Sequence, residues 1–333
     1  MMGILYQIGI HFFILFLRIA SIFSLKIRIG LEGRKNWMSV LEDIPKNAQV
    51  IWFHCASLGE FDQGLPVMHA LKNSKPNAFI LVTFFSPSGM QHFEKRAHPV
   101  DKALYLPFDT KINAHAFMRK AKPKLAIFVK YEFWPNFILE CRASKIKLVS
   151  ISTVLRKNQI YFQWYGGFFA RVLRSVDFFF VQNQETKSIL ESVGVGSVEI
   201  SGDTRYDKVL QYKKDVSETN SILSNFRTKG PVLIAGSSWE AEENIIKKFL
   251  ECNSEINVII APHNVNKANI KRIETLLDEP TMRYTDFKER DDKRILILDT
   301  IGHLSAAYQY ADYALIGGGF SGSLHNILEA GAF

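Results

Sequence analysis

Residues 50–61 read Val50-Ile51-Trp52-Phe53-His54-Cys55-Ala56-Ser57-Leu58-Gly59-Glu60-Phe61. The opening run is rich in β-branched and aromatic residues and has the length of one strand. Beyond it, Ser57 followed three residues later by Glu60 has the spacing of a capping box, in which each side chain satisfies a backbone N–H at the start of a helix. A strand running into a helix is the unit from which parallel sheets are built.

Outward from this point the unit repeats. Further strand-like runs stand at 79–84, 103–106, 125–129, 147–151 and 178–181, separated by helix-length amphipathic segments. Six strands make one doubly wound domain. A polar stretch over 206–229 interrupts the pattern, which restarts with runs at 232–235, 257–260, 295–298 and 313–316. The expected fold class is therefore α/β, two Rossmann-like doubly wound domains facing a cleft, preceded by an apolar membrane-associated helix. The expected organisation is that helix with its basic flank over 1–35, an N-terminal domain over 36–205 and a C-terminal domain over 206–333. A last helix, expected to begin near Ser323, comes shortly before Phe333, so the C-terminal domain is expected to be incomplete. Ligands of such sheets sit beyond the carboxyl ends of the strands, which is where functional residues are sought.

Composition agrees with two domains. At 333 residues the chain exceeds the size at which one hydrophobic core usually keeps growing, and 47% apolar residues suffice to fill two. A charged fraction of 22%, only 11 prolines and the lack of any low-complexity tract exclude extensive disorder. Cys55, Cys141 and Cys252 form neither a CxxC pair nor a metal-ligand spacing, and read as reduced buried thiols. The net charge of +8 is uneven: Arg18, Lys26, Arg28, Arg34 and Lys35 are opposed by Glu32 alone in the first 35 residues. A basic end beside an apolar run fits an anionic membrane surface, whereas nucleic acid would call for a basic stripe elsewhere.

Residues 4–25 are almost wholly apolar, roughly 33 Å long as a helix. At helical spacing Gln7, His11, Arg18 and Ser21 gather on one side and leave a broad apolar surface of Ile8, Phe12, Phe13, Leu15, Phe16 and Ile19. That suits a helix lying in the membrane interface; a true span and a buried core helix are the alternatives. No Lys or Arg precedes the run and no small-x-small cleavage site succeeds it, which argues against a signal peptide. The basic residues immediately after this run favour the cytoplasmic side for the two α/β domains.

Four later loops add to the first. Residues 130–136 read Lys130-Tyr131-Glu132-Phe133-Trp134-Pro135-Asn136, and 202–207 read Gly202-Asp203-Thr204-Arg205-Tyr206-Asp207. Residues 235–243 read Ala235-Gly236-Ser237-Ser238-Trp239-Glu240-Ala241-Glu242-Glu243. The last, 316–330, reads Ile316-Gly317-Gly318-Gly319-Phe320-Ser321-Gly322-Ser323-Leu324-His325-Asn326-Ile327-Leu328-Glu329-Ala330. Together, and in this order, the five segments resemble the 3-deoxy-D-manno-octulosonic acid (Kdo) transferases of lipopolysaccharide synthesis, which are GT-B type glycosyltransferases.

The resemblance implies an inverting transfer of Kdo from CMP-Kdo to the lipid A precursor at the cytoplasmic face of the inner membrane, with no cofactor and no metal. It implies Glu60 as general base, with Glu132 orienting the acceptor or tuning Glu60, since two carboxylates in one mouth raise the proton affinity of one. Acceptor contacts are expected from Ser57, Gly59 and Arg205. Donor contacts are expected from Ser237, Ser238, His263, Gly318, Gly319, Ser323, His325, Asn326 and Glu329. The glycine-rich loop is expected to offer free N–H groups to a phosphate, and Glu329, one turn into the last helix, to accept from ribose hydroxyls. Plainer readings stand beside these: Ser57 with Glu60 and Ser237 with Glu240 are capping boxes, Arg205 a surface arginine, Glu329 a solvent-facing glutamate, and the aromatic residues 133–137 packing.

The chain departs from the family pattern in places. Ala261-Pro262-His263-Asn264 stands where the family often shows Pro-Arg-His-Pro, so the expected cationic donor contact is absent or moved to Lys267. Lys130 replaces a glutamate, His303 replaces another, and Ser323-Leu324 precede His325 where glycines are common. Two other functions remain open on sequence: a transferase or epimerase acting on a UDP-sugar, and a non-catalytic membrane-bound sugar-binding protein.

Overall fold

The computed structural model describes residues 2–207, 221–227, 230–287, 293–320, 322 and 325–333. The chain divides into two compact units, Met1–Arg205 and Tyr206–Phe333.

The first unit is built on seven parallel strands, β1 (Gln49–Cys55), β2 (Ala78–Phe84), β3 (Lys102–Tyr105), β4 (Leu125–Val129), β5 (Lys147–Thr153), β6 (Phe178–Val181) and β7 (Val198–Ile200). Their order is β3-β2-β1-β4-β5-β6-β7. All six runs read from the sequence are present; β7, three residues long at the sheet edge, is too short to announce itself by periodicity. Every residue of β1 after Gln49 is buried because its side chains alternate between two cores. Val50 and Trp52 join Leu81, Phe128 and Phe137 on one face; Ile51, Phe53 and Cys55 join Phe61, Val82 and Ile127 on the other. Burial of a side chain such as Phe53 contributes about 2–3 kcal/mol. Chain order reverses between neighbouring β1 and β4, so the loops after these two strands open side by side and form the crevice in which such sheets bind ligands.

Three helices, Met2–Ala20, Leu25–Glu32 and Trp37–Glu42, precede β1 within this unit. The first is docked by its polar edge. Tyr6 donates its hydroxyl hydrogen to Asp109 Oδ2 at 2.6 Å, and Gln7 Nε2 donates to Asn136 Oδ1 at 2.7 Å. The Tyr6 ring meets Phe168 and Phe169 at 5.8 and 5.9 Å, and Ile10 is buried. Asp109 also accepts from the backbone N–H groups of Asn136 and Phe137, both at 3.0 Å; burial pushes its carboxyl up to about 6 against these hydrogen bonds. The apolar surface of Ile8, Phe12, Phe16 and Ile19 is exposed. Among the described residues this is the one helix long and apolar enough to cross a membrane by length and composition.

The second unit holds five parallel strands, β8 (Val232–Ser238), β9 (Asn257–Pro262), β10 (Thr281–Arg283), β11 (Ile295–Ile297) and β12 (Tyr313–Ile316), in the order β10-β11-β9-β8-β12. The four runs read from the sequence are again present, with the three-residue β10 added at an edge. Two cores flank the sheet, one around Val232, Ile234, Ile259 and Leu296, the other around Ala235, Val258, Ile260 and Ile295. The helix expected to begin near Ser323 is not found: Ser323 lies outside the described residues, and 325–333 form turns with a short 3-10 segment, Ala330–Ala332.

Candidate functional site

In the first unit the loops after β1 and β4 bring Glu60 and Glu132 into electrostatic contact. Glu60 lies in the first turn of helix Leu58–Ser74, where its Oε2 accepts the Ser57 N–H at 2.9 Å; the capping box read from the spacing is present. The residue is nonetheless only 5% exposed. Burial first, and the Glu132 charge second, push it up to about 7, against the pull of the Ser57 N–H and of Lys130. Burial also raises Glu132. Glu60 is thus both a helix cap and an acid that titrates near neutrality, a combination suited to taking and returning a proton. Nothing crowds Gly59: an added Cβ would meet only Ser57 Oγ, at 4.0 Å, so close packing does not demand a glycine there.

A chain of donors under this mouth was not apparent in the sequence. Trp134 Nε1 donates to His54 Nε2 at 3.1 Å, and His54 Nδ1 lies 2.9 Å from Thr83 Oγ1. An indole N–H only donates, so His54 Nε2 is the acceptor and the ring proton sits on Nδ1, directed at Thr83. His54 is fully buried and burial pulls its pKa down to about 3, which keeps it neutral. The relay fixes the Trp134 ring, two residues beyond Glu132, and Phe85 stacks on that ring at 4.7 Å. A histidine in a strand gives no sign of such a role until its cross-strand neighbour is known.

Arg205 is engaged rather than waiting for an anion. Its Nε and Nη2 both meet Asp203 Oδ2, at 2.8 and 2.5 Å. Burial opposes ionisation of Asp203, but these hydrogen bonds outweigh it and hold the carboxyl below its ordinary range. Gln63 Nε2 donates to Asp203 Oδ1 at 3.3 Å, and Thr204 donates its hydroxyl hydrogen to the Gln63 carbonyl at 2.6 Å, so this segment is tied to helix Leu58–Ser74.

The second unit gathers a different cluster at the carboxyl ends of β8, β9 and β12. The Trp239 ring stacks on His263 at 4.3 Å, His263 faces His325 at 4.9 Å, and Trp239 Nε1 donates to His325 Nε2 at 3.3 Å. Burial and His263 lower the His325 pKa. Four expectations need correction here. The helix after β8 is capped by Trp239, whose N–H donates to Glu242 at 3.0 Å, so Ser237 and Glu240 do not form the box; Ser237, next to last in the strand, has a left-handed φ of 53° at the bulge. Ser238 is 2% exposed and its hydroxyl donates to Glu243 Oε1 at 3.2 Å, a carboxylate that also pairs with Arg272, so this hydroxyl is already committed. The glycine turn is not a set of free donors: the Gly317 N–H bonds to Gly236 O at 2.8 Å and the Gly318 N–H to Glu242 Oε1 at 2.9 Å. An internal carboxylate holds the turn, while Gly319 stays exposed. Glu329 lies in a turn rather than a helix, where it accepts from Ser305 Oγ at 2.7 Å and Asn326 Nδ2 at 3.1 Å. Ser323 lies outside the described residues.

Residues 29–208 match the family model described as 3-Deoxy-D-manno-octulosonic-acid transferase (kdotransferase). The chain is 27% identical over 285 residues to a 3-deoxy-D-manno-octulosonic acid transferase of Aquifex aeolicus, covering 84% of this chain and 72% of that one. It is 25% identical over 299 residues to a bifunctional glycosyltransferase/methyltransferase of Fusobacterium nucleatum, covering 85% of this chain and 46% of the relative. A third relative, the 3-deoxy-D-manno-octulosonic acid transferase of Rickettsia prowazekii, is 24% identical over 303 residues, 85% of this chain and 62% of its own. The chain thus spans about half to three quarters of the length of these three. Among solved structures it is similar to the UDP-GlcNAc 2-epimerase of Neisseria meningitidis (TM-score 0.56, 15% identity, 81% of this chain and 78% of that chain). A similar likeness joins it to a UDP-N-acetylglucosamine 2-epimerase described from Listeria monocytogenes (TM-score 0.52, 12% identity, 80% and 73%). At such identities the likeness concerns the fold alone, and with the two parallel sheets it gives a GT-B type architecture.

Proposed function

This chain belongs to the 3-deoxy-D-manno-octulosonic-acid transferase family, and from that premise we propose that it transfers Kdo from CMP-Kdo to the lipid A precursor with inversion at the anomeric carbon. The observation that carries the reading is the paired carboxylates after β1 and β4, one of them pushed to about 7. In the proposed reaction the acceptor hydroxyl attacks the anomeric carbon of Kdo, its proton passes to Glu60, and the bond to the CMP phosphate oxygen breaks. Glu132 orients the acceptor and keeps the Glu60 proton affinity high, so that the base is strong enough to assist yet about half ionised at neutral pH. Ser57 and Gly59 flank the base on the acceptor side. Arg205, oriented by its pair with Asp203, stands on the same side.

On the donor side, the second unit is proposed to bind CMP-Kdo around Trp239, His263 and His325, with Gly319, Asn326 and Glu329 nearby. Ring faces suit a pyrimidine, and the exposed His263 and half-buried His325 suit a phosphate or carboxylate. The enzyme is proposed to work at the cytoplasmic face of the inner membrane, with the helix Met2–Ala20 lying in the interface rather than crossing. Its docking by Tyr6, Gln7 and Ile10 supports this, because a helix held along one edge by its own domain has only the other surface to offer to lipid.

The test is transfer from CMP-Kdo to the tetraacylated disaccharide bisphosphate. Glu60→Ala is expected to lower kcat by at least about 10²-fold, the scale of a positioned proton acceptor, while CMP binding is retained. Wild-type rates in that variant, or protection of the second unit from proteolysis by UDP and not by CMP, would overturn the proposal.

A further inference from the structure

Two joined cavities on the first unit are lined by residues that the transfer step does not use. The larger, about 430 Å³, is bounded by Arg18, Arg28, Glu32, Arg34 and Lys35. The smaller, about 180 Å³, is apolar, with Leu17, Ile27, Phe85 and Pro87 in its wall. Leu31, Arg34 and Phe108 line both.

The charge in the larger cavity is unbalanced. Of its four cations, Lys35 alone meets the single carboxylate, Glu32, at 3.7 Å and well exposed. Among the described residues Arg18 and Arg28 make no side-chain hydrogen bond or ion pair. Arg34 forms the floor and is 8% exposed. It donates to the carbonyls of Leu106, Gly30 and Phe85 at 2.9, 2.6 and 2.5 Å, and lies over the rings of Phe85, Phe108 and Tyr105 at 4.6, 5.0 and 5.2 Å. Carbonyl dipoles and ring faces orient this guanidinium but do not neutralise it, and burial pulls its pKa down to about 10. A rigidly held, uncompensated cation beneath two unpaired arginines and a lysine is an arrangement that an oxyanion completes. The apolar cavity beside it asks for hydrocarbon in the same ligand. Leu17 and Arg18, one in each cavity, close the last turn of a helix whose exposed Phe16 and Ile19, with Phe23 just beyond, face the proposed lipid layer.

We propose that these joined cavities bind a phosphate-bearing amphiphile, with its phosphate among Arg18, Arg28 and Lys35 above Arg34 and an acyl chain along Leu17, Ile27 and Phe85. Two sources carry this chemistry, bulk anionic phospholipid and the lipid acceptor; Phe85, which also stacks on Trp134, makes the apolar cavity a neighbour of the carboxylate mouth. The inference rests on the reading above only in that the chain meets lipid, and its test measures binding without transfer.

The full chain is titrated by calorimetry with dihexanoyl phosphatidic acid below its micelle-forming concentration, and separately with glycerol 3-phosphate and dihexanoyl phosphatidylcholine. Binding of one phosphatidic acid per chain is expected, at least about 10-fold tighter than either control, since each control lacks either the chains or the dianionic head. The double variant Arg18→Ala/Arg28→Ala is expected to lose at least about 10-fold in affinity while its Tm stays within about 2 °C, both side chains being unpaired. Equal affinity for the three ligands, or wild-type affinity in the double variant, overturns the proposal. Displacement of phosphatidic acid by the bisphosphorylated disaccharide assigns the site to the acceptor, and displacement by anionic vesicles alone assigns it to bulk lipid. Loss of transfer activity with lipid binding intact would count against the transferase reading and leave this one standing.

Discussion

Glu60 shows how one side chain carries two demands. As a cap it accepts a backbone N–H; in the proposed role of base it must also hold a proton near neutrality. Because its folded pKa is raised above the ordinary 4.5, its contribution to stability is fully present below pH 4.5 and is lost as pH rises toward 7. Glu60→Gln keeps an acceptor for Ser57 but cannot ionise, so it is expected to be more stable than wild type at pH 8, by on the order of 3 kcal/mol at most, and no more stable at pH 4. Urea unfolding at the two pH values checks this, and a gain of equal size at both would contradict it. Transfer by the wild type should fall as pH drops below 7, with the slope absent from the residual activity of Glu60→Gln. His54 makes a second case. Trp134→Phe leaves its Nε2 buried without a donor and is expected to cost about 1–3 kcal/mol in urea unfolding; a change under about 0.5 kcal/mol would refute the relay. The spacing gave the cap and the resemblance the expected base, but neither the burial that lifts Glu60 furthest nor the His54 relay was legible, because a pKa depends on what surrounds the group and a relay on which strands are neighbours.

Strands and helices were the most legible scale. Ten strands announced themselves by β-branched and aromatic runs, since a central parallel strand such as β1 must fill two cores at once. The two that did not, β7 and β10, have three residues each and lie at edges. The end of the second unit departs from its sequence pattern: Gly-Ser-rich residues before His325 suggest a strand-to-helix turn, whereas the turn there is held by Glu242, which lies 76 positions before Gly318 in the chain. Gly317 is required by the close approach of β12 to the bulged end of β8: an added Cβ would fall 2.0 Å from the Ser237 carbonyl oxygen. Gly317→Ala is therefore expected to destabilise the second unit by at least about 2 kcal/mol, and denaturation followed at Trp239 should reveal it. At the amino end, Asp109→Asn removes the charged acceptor of Tyr6. Amide exchange over residues 2–20 should then accelerate at least about 10-fold while exchange in β1 is unchanged; uniform exchange would show that Asp109 does not hold the helix.

At the scale of the whole molecule, each unit has its own sheet flanked by two cores. A core truncation in one should therefore be felt mainly there. Ile259→Ala, in the middle of β9, is expected to cost about 2–5 kcal/mol in the second unit and to lower the thermal transition reported by Trp239, leaving that reported by amide exchange in β1 within about 1 °C. Equal shifts in both would mean that the units unfold as one. The alternation of strands with helices made this division readable, because each doubly wound sheet resets the pattern after a polar interval.

The tie of Tyr6 and Gln7 to Asp109 and Asn136 has a consequence for how such a protein travels. A helix joined to its domain by a loose tether lets the domain swivel and tilt; this one is clamped, so it cannot roll about its own axis without breaking two side-chain hydrogen bonds and withdrawing Ile10. If lipid takes up the free surface as proposed, the sheet acquires a fixed attitude relative to the bilayer plane. What remains is gliding in two directions and spinning about the normal, so every encounter with a molecule embedded in that plane occurs at one height and one inclination.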